Sequence, residues 1–296
     1  MSLLKDISRM LGGTDGLRHQ EDLLTTLLVM AWMVEARDPY TGGHLWRVSR
    51  FSRLLATEAG LPDTDVARIA VGGFLHDLGK ISIPDHILGK KDRLTDDEYA
   101  VIKTHPDVGW RMLASHPLAA LAEAAVRAHH ETPDGGGYPR GLAGEAVPID
   151  ARIVGICDAF DAMTSTRPYR RGMPIEKALA IIEENFDRQF DRGFGLRFVA
   201  LGRAGRLDHI VGHSDDGIPL HECVMCGPTL VLRRDQKAGD SVYCPACTGE
   251  YAVESGDGAL VTSFTGRKAT PAQLEPEADT LLIACVVRES ARALLA

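Results

Sequence analysis

No stretch of this 296-residue chain is apolar for long enough to cross a bilayer, which removes the helical membrane-protein classes. The start, Met1-Ser2-Leu3-Leu4-Lys5-Asp6, lacks the apolar core and small-residue cleavage site of a secretory leader, so the expected compartment is the cytoplasm, with no membrane partner. A surplus of positive charge is also missing: 33 Lys and Arg face 41 Asp and Glu, leaving a net charge of -8. That balance excludes a non-specific nucleic-acid binder, which must neutralise phosphates with clustered cations. A small nucleotide in a locally basic pocket stays compatible with it. Cysteine is scarce, six residues in all, and four of them form two Cys-x-x-Cys pairs. In a reducing compartment such pairs read as metal ligands before disulfides. What is present is ordinary for a globular protein, 45% hydrophobic and 25% charged, and long enough for one large or two smaller domains.

The N-terminal two thirds reads as helical. Residues 20–36 are apolar on most faces and free of Gly and Pro, which predicts a buried helix. It stops at Asp38-Pro39-Tyr40-Thr41-Gly42-Gly43, and a second helix begins near His44 and runs to Gly60. Asp63 is expected to cap a third, which carries Ile69, Val71, Phe74 and Leu75 into the core and delivers His76 and Asp77 at its end. Gly72-Gly73 inside it suggests close packing or the approach of another backbone. Thr95 and Glu98 carry a capping-box signature, and Pro174 sits at a natural first helical position. A short helix near residues 196–203 closes this part.

Several clusters in it carry chemistry. His76-Asp77-Leu78-Gly79-Lys80 sets an imidazole beside a carboxylate that can bridge two ions, with a lysine three positions on for an anionic substrate. Alone, such a pair is more often an ordinary surface or helix-end pair. His129-His130-Glu131 ends an apolar helix, where two adjacent imidazoles need polar partners or a metal. The glycine-rich run that follows, with Tyr138 and Arg140 embedded, must be a shaped loop. Asp158 and Asp161 share a helical face, as do His44 and Arg47. Thr166-Arg167-Pro168-Tyr169-Arg170-Arg171 is a basic turn in an acidic chain, either a solvated helix end or a phosphate clamp.

Taken together, Asp38 to His44, His76 to Lys80, Lys103-Thr104-His105-Pro106, His129 to Glu131 with Gly135-Gly136-Gly137-Tyr138-Pro139, and Asp158-Ala159-Phe160-Asp161 followed by Arg167-Pro168-Tyr169 resemble the HD-GYP family. The family is an all-helical branch of the HD superfamily of metal-dependent phosphohydrolases, whose members hydrolyse cyclic di-GMP. The resemblance covers about residues 20–203. It implies a mainly α fold, an HD-type helical bundle, and a metal-dependent phosphodiesterase. By it, His44, His76, Asp77 and Asp158 hold one metal, Asp77 bridges to a second, and His105, His129 and His130 complete that second site. Lys80 matches the catalytic lysine. Arg167 and Arg170 match substrate-phosphate contacts, Arg170 standing where a lysine is more usual. Tyr138 shapes the pocket, and Asp161 is assigned with the substrate-binding residues. Some members hold a third ion through a glutamate four residues before the first histidine; here that residue is Tyr40, so two metals are expected. Two ions about 3.5–4 Å apart would activate a bridging hydroxide and neutralise phosphoryl charge. A set rich in imidazole and free of thiolate suits iron or manganese, and zinc also fits. The implied product is linear pGpG, with GMP in some members. Another cyclic dinucleotide, or a catalytically silent receptor that signals through the C-terminal part, are the alternatives.

The chain departs from the family after that. About twenty residues stand where a receiver or sensory domain is usual, and about ninety follow the helical part. These contain His221-Glu222-Cys223-Val224-Met225-Cys226-Gly227 and Cys244-Pro245-Ala246-Cys247. Four thiolates close a tetrahedral site, so a structural zinc in a small β-rich ribbon is expected, with strands near residues 229–233 and 241–243; an iron site fits the same spacing. Cys157 and Cys285 read as core thiols. Residues 208–217 read as a linker, 268–279 as an exposed loop, and 281–296 as a strand and a helix docked on the body. The expected division is an extension 1–19, a catalytic domain 20–205 and a ribbon domain 206–296. The ribbon's role is open between partner binding, homodimerisation and stabilisation. Cysteine changes there are expected to spare the catalytic part.

Overall fold

The computed structural model describes residues 13–37, 42–90, 92–166 and 170–294. Among these, no helix is long and apolar enough to cross a membrane.

The helices are α1 (Gly13–Glu35), α2 (His44–Glu58), α3 (Asp63–Leu75), α4 (Asp85–Leu88), α5 (Asp96–Ile102), α6 (His105–Leu113), α7 (Glu123–Ala128), α8 (Ile149–Thr164), α9 (Ile175–Glu184) and α10 (Arg192–Arg203). A 3₁₀ turn, Leu78–Ser82, leaves the end of α3. α3 is the axis of the bundle, touched by α2, α7, α8 and α1. Its Ile69, Val71, Phe74 and Leu75 are fully buried, each contributing roughly 1.5–3 kcal/mol by leaving water. Gly72 is what lets α7 close on it, since a Cβ there would sit 2.7 Å from that of Ala125.

The helix starts follow local chemistry with two adjustments. Thr95 and Glu98 form the full reciprocal capping box. Asp63, expected as a cap, is the first residue inside α3, where it and Asp65 complement the positive helix end, and Pro62 holds the cap position. Pro174 likewise caps α9 from outside rather than opening its first turn.

After α10 the chain turns to short antiparallel strands: β1 (His213–Asp215) with β2 (Ile218–Pro219), β3 (His221–Cys223) with β4 (Gly227–Leu230), and β5 (Ser241–Tyr243), β6 (Gly249–Ser255), β7 (Leu260–Lys268) in one sheet. Part of the expected linker is therefore strand β1, and a 3₁₀ turn occupies Pro271–Leu274 in the expected loop. The small core of this module is Leu230, Leu232, Val242, Tyr251 and Val253 around the thiols.

The end of the chain corrects the expected strand and helix. It is one helix, α11 (Thr280–Leu294), because Leu282, Ile283, Val286, Val287 and Ala291 recur at helical spacing and bury one face. They join the helical core against α3 and α1, and Arg50 of α2 pairs with Glu289. Segment 206–296 thus leaves the bundle, builds the thiol module and returns to the bundle.

Candidate metal centre

The centre forms where α2, α3, α6, α7 and α8 meet. Four of the imidazoles are fixed by their Nδ1 atoms. His76 Nδ1 donates to Gly73 O at 2.7 Å, His105 Nδ1 to Ile102 O at 2.8 Å, and His129 Nδ1 to Ala125 O at 2.9 Å. A carbonyl can only accept, so the proton is on Nδ1 and the Nε2 lone pair points inward. His44 Nδ1 donates to Asp161 Oδ2 at 2.7 Å with the same result. His44, His76, His105 and His129 are all at most 2% exposed.

These lone pairs face other lone pairs. His105 Nε2 lies 3.2 Å from His129 Nε2. His44 Nε2 lies 3.5 Å from both Asp77 Oδ2 and Asp158 Oδ1. His76 Nε2 is 3.3 Å from Asp77 Oδ2 and has no hydrogen-bond partner. A buried acceptor set against acceptors is unfavourable unless a cation sits between them. Two nests result: His44, His76 and Asp77 form one, with Asp158 beside it, and His105, His129 and His130 form the other. Within each group one ligand atom per residue lies within 4.8 Å of the others. Asp77 joins them, its Oδ2 on the first nest and its Oδ1 3.4 Å from His105 Nε2. The residues fit a pair of divalent cations.

The electrostatics agree. Burial alone would lower His76, but Asp77 and Asp158 override it and raise it to about 10, the signature of a spot that demands positive charge. Burial also opposes the shift of His44, which Asp161 and Asp77 carry upward. In the other nest, burial and then the neighbouring imidazoles hold His129 well below its usual range and push His130 down to about 3. Neutral imidazole is the form that ligates metal. Asp77 and Asp158 are both held far below the usual carboxylate range: burial opposes this, and Lys80 with His76 for Asp77, and His76 with His44 for Asp158, override it.

Close contacts hold the frame. Gly79 touches the backbone of His105 and Gly109 where a side chain would collide, which seats the Leu78–Ser82 turn on α6. Tyr138 stacks on His130 with ring centres 4.6 Å apart, and Glu131 pins the glycine-rich loop by accepting from Arg140 N and Leu142 N. A cavity of about 590 Å³ opens over the nests, lined in part by Lys80, His130, Tyr138 and Asp158.

A model described as the HD domain matches residues 28–193, more than half of the chain. The chain belongs to the HD domain family. Its HD part is 42% identical over 168 residues to the cyclic di-GMP phosphodiesterase response regulator RpfG of Xanthomonas campestris, covering 56% of this chain and 44% of that one. It is 40% identical over 167 residues to a cyclic di-GMP phosphodiesterase of Thermotoga maritima, covering 56% and 45%. It is 39% identical over 176 residues to the 3′3′-cGAMP-specific phosphodiesterase 3 of Vibrio cholerae, covering 59% and 37%. The match spans less than half the length of each of these relatives.

Asp161, assigned to substrate, is 1% exposed and spends both oxygens inside the protein, on His44 and on Arg47 at 2.5 and 3.0 Å. It holds the His44 ring from behind. Burial would raise its carboxyl, and Arg47 and His44 override that and hold it well below the usual range. Arg170, expected on substrate phosphate, donates to Ala162 O at 2.6 Å and Met163 O at 2.8 Å, closing the end of α8, because the last carbonyls of a helix lack partners within it and attract a nearby guanidinium. Arg167 and Tyr40 lie outside the described residues.

Two residues gained importance. Arg47 is 1% exposed and also donates to Gly42 O, His213 O and Ser165 Oγ. Its position one turn after His44 was the available signal. Glu35 closes the apolar helix α1, accepts from His44 N at 2.6 Å, and is pushed up to about 7 by burial, with His44 and Arg47 opposing.

The thiols also converge. Cys223, Cys226, Cys244 and Cys247 lie within 4.8 Å of one another, and Cys223 Sγ to Cys247 Sγ is 3.6 Å, far beyond a disulfide. Zn–S bonds of about 2.3 Å place tetrahedral sulfurs about 3.8 Å apart, so the donors fit one such ion. Tyr251 donates its hydroxyl to Cys223 Sγ at 3.1 Å; burial opposes, but that bond and backbone N–H groups lower this thiol to about 7.

Lys80 Nζ lies 2.6 Å from Asp77 Oδ2 and remains about a quarter exposed toward the cavity. It contributes no ligand atom to either nest. Lys80→Ala is therefore expected to keep the bound metal, checked by elemental analysis, while turnover falls about 10²–10⁴-fold.

Proposed function

We propose that the chain is a phosphoric diester hydrolase that cleaves cyclic di-GMP to pGpG, and onward to GMP if the linear product re-enters. The observation that carries this is Asp77, whose two oxygens face two imidazole nests while Lys80 holds its exposed edge. The relatives named above, which act on cyclic dinucleotides, support the same reading. Iron or manganese is the proposed pair, held by His44, His76, Asp77 and Asp158 on one side and by Asp77, His105, His129 and His130 on the other. Bound there, the ions supply Lewis-acid stabilisation of phosphoryl charge and an acidified water.

The protein's own groups divide the remaining work. Asp161 and Glu35 fix His44 through its ring and its backbone N–H. Tyr138 keeps His130 in plane and forms a wall of the cavity. Lys80 brings an ammonium to the reacting phosphate, where it stabilises charge on the departing ribose 3′-oxygen or delivers its proton. The four thiols hold a structural zinc that closes the C-terminal module. Catalytic residues lie within 20–205, and the compartment is the cytoplasm.

The test is direct. Metal-quantified, reduced protein incubated with cyclic di-GMP should release pGpG. If no product forms at full metal occupancy while the nucleotide still binds, the chain is a receptor and the hydrolase reading fails.

A further inference from the structure

Beyond the end of α8, a second cleft of about 610 Å³ separates the helical body from the thiol module. One wall is the end of α8 and the residues after it, Thr164, Thr166, Arg171 and Gly172; the other is the knuckle from Glu222 to Pro228. The walls meet at Gly227, where an added Cβ would lie 3.5 Å from Thr166 Cγ2. Thr164 of the cleft and Asp158 of the metal centre lie on one helix, six residues or about 9 Å of axial rise apart. A rise of that size is within the span from a phosphodiester to the base attached to it.

The chemistry of the cleft is specific. Glu222 and Arg171 are both exposed, and neither side chain has a hydrogen bond or ion pair with another described residue. Arg170 does not compete, since its guanidinium is engaged with Ala162 O and Met163 O. Val224 and Met225 are 65% and 77% exposed at the tip of the turn that the thiols anchor. Two large apolar side chains held out on a rigid turn are costly in water and suit the face of a flat ring; methionine sulfur is favourable against aromatics. A carboxylate and a guanidinium lining one such slot match guanine. Guanine presents N1–H and N2–H donors on one edge and O6 and N7 acceptors on another, the second pair matching arginine. Adenine would set its N1 lone pair against the carboxylate.

We propose that this cleft is a guanine subsite of the cyclic dinucleotide site: Glu222 accepts from N1–H and N2–H, Arg171 donates to O6 and N7, and Met225 with Val224 covers the ring. This rests on the reading of the chain as a cyclic dinucleotide hydrolase. It gives the thiol module a part in substrate selection, and it makes guanine, in cyclic di-GMP or in 3′3′-cGAMP, the preferred base.

The full chain, with both metal contents measured, is titrated with GMP and with AMP, and its KM for cyclic di-GMP is determined. Wild type should bind GMP at least about tenfold tighter than AMP, and Glu222→Gln should remove most of that preference and raise KM about tenfold. Arg171→Met should weaken GMP binding as well. Both residues are exposed, so retained thiol-site metal and helical signal verify folding. A wild type without base preference, or a preference that survives both substitutions, overturns the subsite. If GMP binding depends on Glu222 but cyclic di-GMP gives no product, the subsite stands and the hydrolase reading falls. If cyclic di-GMP is cleaved with a KM that Glu222→Gln does not move, the reverse holds.

Discussion

Asp77→Ala is expected to lower bound metal from two ions per chain to one or fewer and to cut turnover of cyclic di-GMP on the order of 10³-fold or more. The reason is that Asp77, alone among the described residues, faces both nests. Its Oδ2 lies 3.5 Å and 3.3 Å from the Nε2 atoms of His44 and His76, and its Oδ1 lies 3.4 Å from that of His105. Removing it leaves the second nest with three neutral imidazoles and no anion, and the first with Asp158 as its carboxylate. Asp77→Asn separates charge from shape: it keeps the volume but loses the anion and sets an amide N–H₂ against a cation. Both variants should lose metal together, measured by elemental analysis beside turnover. Full occupancy of both sites in Asp77→Ala would remove the bridging assignment, because independent nests would fill without it. Lys80→Ala supplies the contrast, losing rate while holding metal.

The sequence was informative where chemistry is local. The capping box at Thr95 and Glu98, the apolar face of α3 ending at His76, and the paired cysteines all formed as spacing dictates. Asp158 and Asp161 do share a face, and one helical turn between them serves the two nitrogens of a single ring: Asp158 faces His44 Nε2 and Asp161 holds Nδ1. The spacing could not say which of the two would be buried behind the ring. That depended on Arg47 arriving from α2 to neutralise Asp161. Arg170 is turned toward the helix end for a related reason. A basic turn was visible, but the carbonyls that end α8 compete with any phosphate for its donors. Least legible was the relation of the C-terminal module to the metal centre, since it joins residues near 43 to residues near 213, and those near 166 to those near 227. No local pattern records such meetings. The module was expected to be separable, yet Gly43, at φ 74°, runs so close to it that a Cβ would sit 2.6 Å from Ser214 Cα.

Arg47→Met turns that closeness into a measurement. Arg47 is 1% exposed, and its guanidinium holds together four pieces: Asp161 under the ligand His44, Ser165 at the end of α8, Gly42 O ahead of α2, and His213 O in β1. Methionine keeps the apolar stem and removes every donor. Asp161 is then a buried carboxylate left with His44 and a long hydrogen bond from Ser165 Oγ, and breaking a buried ion pair from one side costs about 3–5 kcal/mol. For a protein of this size that corresponds to a fall in Tm of roughly 5–8 °C. A second effect separates this from simple destabilisation. With Asp161 no longer held, His44 loses its fixed orientation, and metal affinity should fall about 10–100-fold, as it does when the partner of a ligating histidine is disturbed. Arg47→Lys should recover little, because one ammonium cannot grip both oxygens of Asp161 and still reach His213 O. Metal affinity measured well below the new Tm is the deciding quantity. If it is unchanged while Tm falls, Arg47 only welds the C-terminal module to the bundle. If both fall, the module's first strand is part of what aims the first metal ligand, and the catalytic part cannot be cut free of it without loss.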